Sequence, residues 1–171
     1  MNKRRLTEYA AIIPLCLFLV FAYYRVWWVS AVLYLVWYFL YGFVGLAYAV
    51  NTKRMLKLSN FFLAITAPYI LLPFRKAFYY WTKAVNVTQK SPDNIEATKK
   101  AFELSQKVNV DSLYTDKNKA VFLLFRAALY LDLNDKEAAR KYLDKARLLT
   151  HNKQTNEILE RLEELYSAMS E

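Results

Sequence analysis

Residues 120–151 read AVFLLFRAALYLDLNDKEAARKYLDKARLLTH, and the spacing of their apolar residues decides the fold. Leu123, Ala127 and Tyr130 recur at steps of four and three, as do Ala139, Leu143 and Ala146, so each half presents one face of an α-helix. Asn134-Asp135 interrupts the pattern, and Asp135 is placed to accept hydrogen bonds from the first turn of the next helix. The stretch predicts two helices joined by a tight turn, with Ala127 and Ala139 small enough to let them cross closely. Strand signals are missing.

Working outward, the same logic fills the C-terminal half with helices. Ser91-Pro92-Asp93-Asn94 offers a cap, with Asp93 and Glu96 at capping-box spacing, for a helix over 94–108 whose face is Ala97, Ala101, Leu104 and Val108. Asp116 is expected to cap a helix over 117–133, and Asp135 one over 136–149. Thr155 is expected to cap a last helix over 156–169, with Ile158, Leu162, Leu165 and Met169 turned inward.

Upstream the composition changes. Residues 1–74 hold 7 Lys+Arg and 1 acid, whereas residues 75–171 hold 17 and 14. Between Tyr9 and Phe74 the only charges are Arg25, Lys53, Arg54 and Lys57. A helix crossing roughly 30 Å of hydrocarbon needs about 20 residues, so residues 6–24 and 26–50 read as membrane helices. Tyr23-Tyr24-Arg25-Val26-Trp27-Trp28 forms their interfacial turn. Residues 58–74 are shorter and carry Pro68 and Pro73, which fits a third span or a re-entrant or interfacial segment.

The fold class expected is all-α: two or three N-terminal membrane helices in residues 1–74, then a short domain of helical hairpins in residues 75–171. Lys3, Arg4 and Arg5 before the first span and Lys53, Arg54 and Lys57 after the second put the N-terminus and the second turn in the cytoplasm. The side of the C-terminal half depends on residues 58–74: charge favours the cytoplasm, and hydrophobicity favours a crossing.

The membrane half carries no ionisable group away from its segment ends, which argues against an autonomous transporter or pump. Gly42, Gly45 and Ala49 are spaced as a helix-packing notch, for another segment of the same chain or for a partner helix. Cys16 lacks the polar company that a reactive thiol needs. With 2 Gly, 1 Cys and 1 His the chain cannot build a Gly-rich phosphate loop or a Cys-rich metal site. No catalytic set, cofactor or metal site is expected, and His151 reads as a surface residue rather than a base. Lys53, Arg54, Lys57, Arg75 and Lys76 suit anionic lipid headgroups. The rear half alternates its charges along helix faces, which is not a nucleic-acid stripe.

The register over residues 120–151 resembles a tetratricopeptide repeat, with Arg126 and His151 standing where an apolar residue and a proline are usual. A weaker copy lies on residues 78–104, with Trp81, Ala84 and Val85 on one helix and Ala97, Ala101 and Leu104 on the next. The copies are 42 residues apart, against roughly 34 in a regular array, so extra residues fall in 109–115. The resemblance implies a protein-binding module whose groove would be lined by Tyr79, Thr82, Asn86 and Gln89 and by Val121, Leu124, Ala128 and Leu131. The second set sits on a helix that is apolar almost all round, which is either enclosed or a docking patch. Two repeats are fewer than a free array needs, so the C-terminal helix, the membrane, self-association or a larger complex must complete the core. Two functions follow as expectations: a membrane-tethered adaptor that binds a protein partner, or an auxiliary subunit of a membrane transport or secretion assembly.

Overall fold

The computed structural model describes residues 13–66, 70–92, 94–149 and 153–169. Among these the chain is all-helical. There are nine α-helices, one 3-10 turn and no strand: α1 (Ile13–Tyr23), α2 (Trp27–Tyr41), α3 (Val44–Thr52), α4 (Leu56–Thr66), α5 (Pro73–Lys90), α6 (Ile95–Gln106), the turn Val110–Ser112, α7 (Asp116–Asp132), α8 (Lys136–Arg147) and α9 (Lys153–Ala168). Two compact units divide at Thr82/Lys83. That is later than the change of composition at Arg75, because Pro73 opens a helix that runs unbroken to Lys90. Each unit is described separately.

Among the described residues of the first unit no single helix is long and apolar enough to cross a membrane. The expected span over 26–50 is broken: α2 and α3 meet at an angle of 58°. The break falls at Gly42, whose φ of 57° is left-handed and whose missing side chain makes room for Thr66, since a Cβ there would overlap the Thr66 methyl group. Thr66 Oγ1 accepts from the Phe43 N–H at 3.1 Å and donates to the Phe62 carbonyl at 2.7 Å. One hydroxyl thus satisfies a backbone donor that the break exposes. Of the expected first span, α1 covers Ile13–Tyr23; the residues before it lie outside those described.

The break also resets the phase of the predicted notch. Gly42 is buried, but Gly45 and Ala49 are exposed. The face of α3 that packs is instead Val44, Ala47 and Asn51, and α4 meets it with Ser59, Leu63 and Thr66. Ala47 and Ser59 are both fully buried there, and Ser59 Oγ donates to the Ala47 carbonyl at 2.9 Å. Residues 58–74 are not one helix either. The helix α4 is described over Leu56–Thr66, and Pro73 is the first residue of α5, where its missing N–H costs no hydrogen bond. Pro68 lies outside the described residues. Just before α5, the Leu71 N–H donates to the Phe39 carbonyl in the last turn of α2 at 3.1 Å. The start of α5 runs beside α3, with Tyr48 against Phe78 and Trp81 at 5.4 and 6.3 Å between ring centroids. Trp81 therefore packs as part of this unit's aromatic cluster.

In the second unit α7 is the centre. It buries Ala120, Phe122, Leu123, Leu124, Ala127, Leu129 and Leu131, and it packs against α6, α8, α9 and the 3-10 turn. That explains why its sequence is apolar almost all round. The hairpin α7–α8 is closed as expected, with Ala127 and Ala139 fully buried beside Leu143, Ala146 and Leu162 of α9. Four details differ from the sequence reading. Thr115, not Asp116, caps α7 by accepting from the Asn118 N–H at 3.1 Å. Asn94 caps α6, accepting from Glu96 and Ala97, while Asp93 lies outside the described residues. Thr155 is not a cap but a buried residue inside α9, and Leu165 faces solvent. Ile158, Leu162 and Met169 face the core as expected, joined by Leu159 and Tyr166.

The three helical hairpins share one turn. Arg25, Arg54 and Asn134 have φ of 60°, 58° and 60°. Around each, two bonds recur: Arg25 N to Ala22 O with Val26 N to Phe21 O, Arg54 N to Asn51 O with Met55 N to Val50 O, and Asn134 N to Leu131 O with Asp135 N to Tyr130 O. These are the paired bonds that close a helix C-terminus over a left-handed residue. The residue usually is glycine, and a side chain there costs roughly 1–2 kcal/mol. Arg54→Gly is therefore expected to raise the unfolding free energy in detergent by about 1 kcal/mol, and Arg54→Val to lower it, as read by denaturant titration of helical circular dichroism.

Candidate partner-binding site

The eight groove positions come from α5 and α7, and they divide between the two units. Tyr79 and Thr82 belong to the first, where Tyr79 is buried with Val44, Ala47, Leu63 and Ile70. Asn86, on the second unit's part of α5, is also buried. On α7, Leu124 and Leu131 are 1% and 6% exposed and belong to the core with Leu123, Leu143 and Leu162, while Ala128 packs at its edge and Val121 is half-buried. The apolar set is enclosed. Only Gln89 is open. It lines a cleft of about 310 Å³ with Thr88, Ser91, Pro92, Thr98 and Asp132, at the junction of α5, α6 and the last turn of α7.

Arg126, the charged residue at an otherwise apolar position, has a structural task. Its Nη2 donates to the Ser105 carbonyl at 2.6 Å and its Nη1 to the Tyr142 hydroxyl at 3.2 Å. The guanidinium also lies over the rings of Phe122 and Tyr142, at 5.1 and 5.5 Å from their centroids. Ser105 is in the last turn of α6, where carbonyls lack helical partners and the helix dipole favours a cation. One side chain of α7 thus caps α6 and braces α8. Tyr130 stacks on Tyr142 with centroids 5.3 Å apart; burial, then the neighbouring Tyr142, pushes the Tyr130 phenol above its usual value. Nothing in the local sequence distinguished Arg126 as a brace, because Ser105 lies 21 residues away.

Other chemistry finds no assembled group. Among the described residues no three His, Cys, Asp or Glu side chains come together to hold a metal ion. His151 lies outside those residues. Charge pairs are on the surface, as with Arg147 and Glu163 between α8 and α9 at 2.7 Å. No protein-family model, curated protein or solved structure matches the chain.

Because Leu124 is core, Leu124→Ala is expected to cost about 3 kcal/mol in the unfolding of the full chain. Arg126→Met should cost about 2 kcal/mol, the worth of a charge-assisted bond to a buried carbonyl. Chemical denaturation followed by circular dichroism measures both; an unchanged midpoint for Arg126→Met would mean that the brace carries no load.

Proposed function

We propose that the chain is a membrane-anchored protein-interaction scaffold. Its first unit is held in lipid, and its second is a tetratricopeptide-like helical module that serves a protein partner. The distribution of exposed apolar side chains supports the anchor most directly. Among the described residues, twenty exposed large apolar side chains fall between Ile13 and Leu71, and three in residues 83–171. The helix α1 has no buried residue at all. Such a surface has no stable home in water. Lipid supplies one, with Tyr23, Tyr24, Trp27 and Trp28 at the interface. The basic residues before and after the apolar stretch argue for a cytoplasmic N-terminus.

The module reading is supported by the register of α7–α8, with Ala127 and Ala139 at the crossing and α9 covering the open end. Burial of Leu124 and Leu131 turns the interaction surface away from the apolar groove and favours a second form of the proposal, an auxiliary subunit of a larger membrane assembly. Such a subunit would contribute rigid helices and lipid contact, without capturing a peptide.

Alkaline carbonate extraction tests the anchor: the full chain should remain in the membrane pellet, and release into the supernatant would end the proposal. Mass in mild detergent separates the two forms. A monomer or small homo-oligomer that captures a soluble protein supports the scaffold, and isolation only with a multispanning partner supports the subunit.

A further inference from the structure

The position at which the chain leaves the first unit bears on sidedness. With α2 along the bilayer normal, its fifteen residues rise about 22 Å. The nine residues of α3, inclined by 58°, add only about 7 Å, which together matches roughly 30 Å of hydrocarbon. The helix α3 is therefore oblique and shallow. Its antiparallel neighbour α4, eleven residues long, measures about 16 Å and returns to the point from which α3 set out. There Thr66 bonds to Phe43, and Leu71, a few residues on, bonds to Phe39 at the end of α2. A segment that ends beside its own beginning has not crossed.

The hairpin is apolar along its length and cationic at its turn. Leu46, Leu58, Phe61 and Ile65 are exposed apolar side chains, while Lys53, Arg54 and Lys57 are exposed at and just after its turn. Arg75 lies beside Gly45 at the start of α3, with exposed Lys76 next to it. Given the tilt of α3, these five cations differ in depth by only about 7 Å. No Asp or Glu occurs between Glu8 and Asp93.

We propose that α3 and α4 form an interfacial hairpin in one leaflet, bound through Lys53, Arg54, Lys57, Arg75 and Lys76 to anionic phospholipid, so that α5 leaves on the side from which α1 enters. This rests on the membrane-anchored reading and adds a fixed topology and a lipid class. The exposed apolar side chains enter the acyl boundary, and the cationic turn meets the headgroups. The third apolar segment is thereby a surface element, and only the first apolar segment, residues 6–24, and the bent α2–α3 cross.

Two measurements on the full chain test it. In a Cys16→Ser background, single cysteines replacing Tyr24, Lys53 or Ser167 are probed in sealed oriented vesicles with an impermeant maleimide. Lys53→Cys and Ser167→Cys should label from one side and Tyr24→Cys from the other. Labelling of Lys53→Cys and Ser167→Cys from opposite sides, in protein that still resists carbonate, would overturn the proposal while leaving the anchor standing. In the second, tryptophan quenching by brominated phosphatidylglycerol is compared with quenching by brominated phosphatidylcholine. The wild type should prefer the anionic lipid, and K53Q/R54N/K57Q, with Asn chosen for its tolerance of positive φ, should lose that preference roughly fivefold or more. Equal quenching by both lipids in the wild type would overturn the headgroup assignment and leave an acidic protein as the occupant of the cationic turn.

Discussion

A chain with 2 glycines that must reverse direction between antiparallel helices has to place side-chain-bearing residues in the left-handed region. Arg25, Arg54 and Asn134 do this, and the rest of the architecture follows from their geometry. Each turn returns two backbone N–H groups to carbonyls of the helix just ended, and the next residue begins the following helix. In an apolar setting this economy matters, because unpaired backbone groups cost several kcal/mol each. The same requirement explains Thr66 at the bend between α2 and α3, and Leu71 on the Phe39 carbonyl. The first unit is a set of short helices whose ends are closed by one another.

The rear unit was the more legible part of the sequence, for a physical reason. Its helices are amphipathic, so the apolar period reports both the element and its inward face, and Asp135 capped α8 as its position indicated. The misplaced details were local competitions: Thr115 over Asp116, Asn94 as the cap of α6, and Leu165 turned outward because Leu162 and Tyr166 fix the phase of α9. The front unit was less legible. When nearly every residue is apolar, periodicity vanishes, and length becomes the only signal for a span. Length could not reveal that Gly42 and Thr66 interlock, or that Pro73 begins a helix rather than bending one.

The candidate site was legible as a set of positions but not as a surface. Leu124 and Leu131 were correctly placed on one side of an apolar helix, yet whether that side is open depends on α9 and on the neighbours of α7, which no local pattern encodes. Arg126 carries the same lesson in reverse. It is a charge at an otherwise apolar position, and it ties the end of α6 to Tyr142 through the middle of α7.

That tie also sets an order of events during synthesis. Arg126 leaves the ribosome before Tyr142, and Leu162, which completes the core around Ala127, emerges later still. Until then the apolar flank of α7 has nothing to rest on. The rear unit can close only after Leu162 has emerged, and in the interval the uncovered helix is open to misassociation.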